Sequence, residues 1–204
     1  MYNGVGGKMK FLLFAVIAYV AGSINFAEII TFRKIGEDIR NFGDGNPGAT
    51  NVFLHVDKRL GFLVGISDGL KGFLPLLLAS QYLPESTLPL VASCGILGHQ
   101  YPIFHGFKNG GTGIAITSGD MVFFAPHLTA LIIILSSLTA ILPANYLGSF
   151  FSRFERGEAM GFILLIAFSL FSKNTLLKTF VLLDITLIVI RKRRIVMKLL
   201  FKKA

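Results

Sequence analysis

Five side chains that could take part in chemistry stand inside or beside long apolar stretches of this chain. They are Asn25, Glu28, Asp68, Lys71 and His99. An ionised group in a bilayer is costly unless it is paired, so residues of this kind usually mark a substrate or ion site. Asp68 and Lys71 are three positions apart, which on a helix places them on one face where their charges can neutralise one another. The alternative for these two residues is a purely structural ion pair.

Two glycine-rich segments could bind an anion. The first glycine loop spans residues 36–51, and the second glycine loop spans residues 107–113. Glycines let the main chain approach a ligand closely, and backbone N–H groups at a helix start form a cradle for an anion. Because Arg40 and Lys108 lie in these loops and Lys71 is expected nearby, phosphate is the ligand that we expect. The alternative is that the glycines only turn the chain between helices.

Other polar residues could bind a ligand or stabilise the structure. Asn46 and Asn51 could position a ligand or could cap the first glycine loop. Ser23 could hydrogen-bond a neighbouring helix. His99 leads into the second glycine loop and could be a base or a satisfied buried histidine. The remaining histidines are spread over different connections, at His55, His105 and His127. We therefore expect no metal site.

The composition predicts a membrane protein. Of 204 residues, 53% are hydrophobic and 15% are charged, with a mean hydropathy of +0.67. This length allows about seven or eight spans and little else, so we expect one bundle. The net charge of +9 is better explained by cytoplasmic loops and anionic lipid than by nucleic acid. We interpret residues 1–8, which precede Met9, as a leader outside the fold, and residues 9–204 as a single membrane domain.

The elements that must position these residues are predicted to be seven transmembrane helices in an all-α bundle. Apolar runs place them near residues 10–32, 61–83, 88–104, 113–125, 127–144, 158–172 and 175–190. Fifteen of the 20 Lys and Arg residues fall in four alternate connections, at 33–60, 105–112, 145–157 and 191–204. Since basic residues collect in cytoplasmic loops, we expect the amino terminus outside and the carboxyl terminus inside. Asp120 and Pro126 could mark a turn between two short helices or a kink in one long helix. A bundle of five spans is the alternative.

Four motifs occur in a fixed order along the chain. They are Gly22-Ser23-Ile24, Asp38-Ile39-Arg40 followed by Gly43-x-Gly45-Asn46-x-Gly48-Ala49-Thr50-Asn51, Asp68-x-x-Lys71-Gly72, and Gly98-His99-x-x-Pro102-x-Phe104. In order and spacing they resemble the PlsY-type acylphosphate:glycerol-3-phosphate acyltransferases over about residues 10 to 190. The resemblance implies a bacterial inner-membrane enzyme with seven helices and a site that faces the cytosol. Such an enzyme transfers a fatty acyl group from acyl phosphate to glycerol 3-phosphate, which gives lysophosphatidate and phosphate.

The resemblance also implies a set of site residues. The catalytic set is Ser23, Arg40, Asn51, Lys71 and His99, and Asp68 supports it. The set that binds substrate phosphate is Arg40, Asn46, Gly48, Lys71, Lys108, Gly110, Gly111 and Thr112. Acyl phosphate is already an activated anhydride, so proximity and charge compensation could supply the rate without a cofactor or metal. The implied partners are the two substrates and membrane lipids, and the oligomeric state is left open, with a monomer among the options.

Two departures from the family pattern affect this prediction. The family motif Phe-Lys-Gly-Gly-Lys-Gly has one extra residue here, at Asn109, and Thr112 stands where the second lysine belongs. The usual His and Asn of the tail are replaced by the basic run 191–194. We expect Lys108 to substitute for the missing lysine, with the tail arginines as the alternative. The alternative functions are a non-catalytic or altered-specificity paralogue, and a membrane protein that binds or moves a phosphorylated metabolite.

Overall fold

The computed structural model describes residues 4–141 and 153–191, and these residues form an all-helical bundle. The helices are α1 (Val5–Ser23), α2 (Phe26–Ile35), α3 (Ala49–His55), α4 (Lys58–Ala79), α5 (Leu88–Gln100), α6 (Ile114–Phe124), α7 (Pro126–Ile141), α8 (Arg153–Phe171) and α9 (Thr175–Arg191). Short 3₁₀ turns lie at Ile39–Asn41, Glu85–Thr87 and Ile103–His105. The all-α prediction is confirmed for the described residues. The number of bilayer crossings and the side of each terminus stay predictions.

The first predicted span is two helices instead of one. Ile24 and Asn25 have extended backbone between α1 and α2, and the Asn25 side chain accepts a hydrogen bond from the Glu28 N–H at 3.0 Å. Asparagine is a preferred N-cap, so a polar residue in an apolar run here ends one helix and begins the next. The helix α1 begins at Val5 and therefore includes part of residues 1–8, whose interpretation as a leader stays a prediction.

The chain also breaks between α6 and α7. Ala125 is not helical, and Pro126 is the first residue of α7, a position where proline is favoured because its missing N–H would be unpaired anyway. Asp120 is buried inside α6, so it does not mark the turn. The predicted helix at 127–144 and the predicted connection at 145–157 extend into residues 142–152, which lie outside the described residues.

Length and exposed apolar surface favour a membrane setting. Among the residues that the structure describes, two stretches are long and apolar enough to cross a bilayer, Val5–Ile35 and Lys58–Ala79. At about 1.5 Å per residue, a helix as long as α4 matches the roughly 30 Å hydrocarbon core. Large apolar side chains point away from the bundle on several helices, including Leu12, Phe62, Leu70, Leu170 and Leu182. An apolar outer surface of this kind suits lipid better than water.

Glycines allow the helices that carry the site to pack closely. In the contact between α1 and α5, Gly22 faces the backbone of Gly95, and Gly98 faces the carbonyl of Tyr19. In the contact between α4 and α6, Gly119 faces the carbonyl of Gly69. An added Cβ at Gly22, Gly98 or Gly119 would overlap the opposite backbone. Small residues at such contacts are how membrane helices approach one another.

Candidate active site

Arg40 joins the two glycine loops. Its Nε donates a hydrogen bond to the Asn109 carbonyl at 3.0 Å, and its Nη1 lies 3.0 Å from a carboxylate oxygen of both Glu28 and Asp38. The other terminal nitrogen, Nη2, is buried and has no hydrogen-bond partner within the described ranges. A planar guanidinium can hold several acceptors in fixed directions, so one side chain aligns the two loops.

The sequence marked Glu28 as a candidate but did not predict its partners. Besides Arg40, its carboxylate meets the Nε2 of His105 at 2.7 Å. An acidic residue in an apolar stretch was the available signal, but its partners are distant in the sequence. Glu28 therefore links α2 to the first glycine loop and to the 3₁₀ turn that precedes the second.

The first glycine loop is held from inside by Asn51. The buried Nδ2 of Asn51 donates to the carbonyls of Ile39, Phe42 and Asn46 at 3.3, 2.9 and 3.1 Å. These contacts favour the loop-capping role for Asn51. The loop reverses through Gly43 and Gly45, whose φ angles of 54° and 73° are left-handed values that suit glycine. Asn46 and Gly48 are half-buried in the same loop.

A small apolar cluster lies beneath the first glycine loop. Its fully buried members are Ala27, Ile39, Val52 and Val64. They come from α2, the 3₁₀ turn, α3 and α4, so burial of their side chains fixes the loop against three helices. The same burial fixes the backbone that carries Arg40.

The second glycine loop absorbs its extra residue through unusual backbone conformations. Phe107 and Asn109 both have positive φ, at 62° and 59°. Asparagine tolerates this region, whereas a bulky residue there is strained. Between them, the Lys108 side chain is exposed. The loop therefore presents its backbone inwards at Asn109 and its lysine outwards.

The rest of the second glycine loop packs on the end of α5. The Gly111 N–H donates to the His99 carbonyl at 3.1 Å, and a side chain at Gly111 would overlap the His99 ring. The Nε2 of Gln100 donates to the carbonyl of Thr112 at 3.0 Å. Gly110 and Gly111 are buried, and Thr112 is half-buried. His99 is thus in contact with the loop, as its position in the sequence suggested.

Lys71 and Asp68 form the predicted buried pair. The Nζ of Lys71 lies 2.8 Å from Asp68 and donates to the Ile24 carbonyl at 2.7 Å. It also lies 5.7 Å from the centre of the Phe26 ring, within the range of a cation–π contact. Lys71 therefore reaches from α4 to the break between α1 and α2, where the helix end leaves a carbonyl to be satisfied.

Ser23 connects that break to the turn that follows His99. Its hydroxyl donates to the Tyr19 carbonyl at 2.8 Å and accepts from the Ile103 N–H at 3.3 Å. Because His105 ends the same turn and contacts Glu28, the contacts run without a gap from Ser23 to Arg40.

Two buried carboxylates were not found by the motifs. Thr117 on α6 donates to Asp184 on α9 at 2.8 Å, and Asp120 lies one turn further along α6. Both oxygens of Asp120 are buried without a hydrogen-bond partner in the described part of the chain. A single aspartate in the apolar stretch of α9 was a signal of the same kind as Asp68.

Comparisons with known proteins agree on one family. A family model described as glycerol-3-phosphate acyltransferase matches residues 12–202. The glycerol-3-phosphate acyltransferase of Cupriavidus pinatubonensis is 37% identical over 182 residues, which is 81% of this chain and 90% of that protein.

Two crystal structures of PlsY, an integral membrane glycerol 3-phosphate acyltransferase, are also similar. The glycerol 3-phosphate form has a TM-score of 0.72 and 32% identity, with 95% of this chain and 93% of that chain covered. The lysophosphatidic acid form has a TM-score of 0.73 and 28% identity, with the same coverage of 95% and 93%. Together with the apolar helices, this likeness identifies a membrane protein. The match over residues 12–202 shows that this chain belongs to the glycerol-3-phosphate acyltransferase family.

Proposed function

We propose that this chain transfers a fatty acyl group from acyl phosphate to glycerol 3-phosphate, and so forms lysophosphatidate and phosphate. The observation that carries the proposal is the Arg40 bridge, which joins the two glycine loops and is connected to Ser23 through Glu28 and the turn after His99. The acceptor is supported by the names of the family and of the similar structures. The donor is supported by the chemistry of the site.

Acyl phosphate suits a site built from loops and cations. The hydroxyl oxygen of glycerol 3-phosphate bonds to the acyl carbon, the bond from that carbon to the phosphate oxygen breaks, and phosphate leaves. The hydroxyl proton goes to a phosphate oxygen or to His99. Since the leaving group is already good, the protein mainly has to bring two anions together. Arg40 and Lys71 would offset their repulsion, and the amides of the glycine loops would orient them.

The side chains have different tasks in this proposal. Lys71 and Asp68 would hold the break between α1 and α2 in shape and provide local positive charge at the ammonium. Ser23 would set the position of the turn after His99. Asn51 would act through the loop, because its amide nitrogen already binds three carbonyls of that loop. Asn46, Gly48, Gly110, Gly111 and Thr112 would contact phosphate.

We further propose a bacterial cytoplasmic membrane location with the site on the cytosolic side. The support is the concentration of Lys and Arg in the connection that contains the first glycine loop and in the tail. Glycerol 3-phosphate is a charged, water-soluble substrate, so a site at the cytosolic end of the bundle could take it directly from solution.

The test is the full-length protein, purified in detergent and incubated with palmitoyl phosphate and labelled glycerol 3-phosphate. We expect lysophosphatidate above the protein-free background, and much slower turnover when palmitoyl-CoA replaces palmitoyl phosphate. Comparable rates with palmitoyl-CoA would refute the donor assignment. Binding of glycerol 3-phosphate without turnover would favour a protein that binds or moves a phosphorylated metabolite.

A further inference from the structure

A second arginine, besides Arg40, contacts the second glycine loop. The last residue of α9, Arg191, donates a hydrogen bond from Nη2 to the Gly110 carbonyl, and its guanidinium carbon lies 5.6 Å from the centre of the Tyr101 ring. Arg40 donates to the carbonyl of the preceding residue, Asn109. Residues far apart in the sequence thus bring two arginines to adjacent peptide groups, about 3.8 Å apart along the chain.

The position of Arg191 is fixed by packing of α9. Asp184 accepts a hydrogen bond from Thr117 of α6, and the Phe180 ring stacks on Phe124 with ring centres 4.9 Å apart. Asp184 and Phe180 are both buried, and they lie about two and three turns before the end of the helix. The cation–π contact with Tyr101 then favours this position of the guanidinium, since arginine prefers aromatic faces.

The two arginines differ in whether a carboxylate pairs with their charge. Arg40 pairs with Glu28 and Asp38, and Lys71 pairs with Asp68. Arg191 has no carboxylate partner in residues 4–141 and 153–191. Arg191 is half-buried, and a cation that is partly removed from water is unfavourable unless an anion pairs with it. An anion bound at the edge of the second glycine loop would supply the partner that Arg191 lacks among the described carboxylates.

We propose that Arg191 binds a phosphate group of a substrate, at the edge of the second glycine loop next to His99. This proposal rests on the proposed function, because it assigns a residue to the same site. It also assigns the missing charge of the second loop to the end of α9 instead of Lys108, whose side chain is exposed. The ligand chemistry is a phosphate monoester or acyl phosphate, and the two substrates are distinguished by which KM changes.

The test compares steady-state kinetics of full-length variants. Arg191→Ala should raise the KM of glycerol 3-phosphate or of palmitoyl phosphate at least tenfold, and Arg191→Lys should recover part of the loss. Lys178→Ala removes a charge from an exposed position on the same helix and should match the unmodified protein. An unchanged KM for both substrates in Arg191→Ala would overturn the proposal, whether or not kcat falls.

A rescue variant separates charge from packing. Arg191→Ala combined with Thr112→Lys returns a cation to the same loop without restoring the contact with Tyr101 or the hydrogen bond to Gly110. A KM that returns towards that of the unmodified protein in this double variant supports phosphate binding. If the KM stays raised while circular dichroism shows a folded protein, Arg191 only supports the loop and the proposal is overturned. If the unmodified protein makes no product, the change in its Tm on addition of glycerol 3-phosphate is measured instead. Loss of this change in Arg191→Ala supports the binding role, and an equal change in both proteins overturns it.

Discussion

At the scale of single residues, Arg40 has two tasks that a substitution series can separate. Its Nε and Nη1 hold the second glycine loop and two carboxylates in place, while Nη2 is left without a partner among the residues described. Arg40→Ala should remove most activity, because a phosphate in a water-poor site loses about 2–5 kcal/mol of stabilisation without its partner. Initial rates of lysophosphatidate formation measure this loss.

The matched controls for Arg40 test geometry against charge. Arg40→Lys keeps the charge but cannot reach the Asn109 carbonyl and both carboxylates together, so we expect little recovery. Arg33→Ala removes an exposed positive charge on α2 and should leave the rate near that of the unmodified protein. Full activity in Arg40→Lys would show that alignment of the loops by a planar group is not needed.

The sequence predicted much of the candidate site because apolar surroundings make polar residues conspicuous. Lys71 with Asp68 and the contact of His99 with the second loop could both be anticipated. The partners of Glu28 and the end point of Arg191 could not, because they depend on which helix ends meet. For Asn51, the sequence left two roles open, and only the three carbonyls around its amide favour one of them.

At the scale of helices, the glycines between α1 and α5 set the distance between Ser23 and His99. Gly98→Ala should destabilise the protein by about 1–3 kcal/mol, the usual cost of overpacking, because the new Cβ would overlap the Tyr19 carbonyl and lie 3.1 Å from the Ser23 nitrogen. Thermal melts followed by circular dichroism in detergent measure the effect. Activity should fall with stability, since the displaced helices carry site residues.

Gly6→Ala is the matched control for this prediction. Gly6 lies in α1, the helix that packs against Gly98, but no heavy atom that would face its Cβ lies within 4 Å. Alanine should therefore be tolerated or slightly stabilising, because it has the higher helix propensity. If Gly98→Ala melts at the same temperature as Gly6→Ala, the close approach of α1 and α5 does not limit stability.

Helix existence was easier to predict than helix breaks. Apolar length marked the course of α4, α5, α6 and α9 within a few residues. The break at Ile24 and Asn25 was missed because nothing in hydropathy distinguishes a polar cap from a polar residue that faces another helix. The short α3 was missed because its seven residues are too few for an apolar period to stand out in the sequence, although Val52 is buried in the cluster beneath the first glycine loop.

At the scale of the whole molecule, the site lies at one end of the bundle. The helix α4 begins after the first glycine loop, and α5 ends before the second, so the Arg40 bridge places both loops at the same end. The connection between α4 and α5, with its exposed Ser86, lies at the other end of these two helices. If α4 and α5 both cross the bilayer, the loops and Ser86 must face opposite sides.

Labelling of single cysteines tests this orientation. In a Cys94→Ala background, which removes the chain's one native cysteine, we expect Asp44→Cys, Asn109→Cys and Arg193→Cys to react with a membrane-impermeant maleimide only in inverted vesicles. The first two positions are exposed, and Arg193 lies outside the described residues. Ser86→Cys should react only in intact cells. Labelling of Asp44→Cys and Asn109→Cys from opposite sides of the membrane would contradict the Arg40 bridge itself. Labelling of both from outside would be compatible with the bridge but would reverse the proposed orientation.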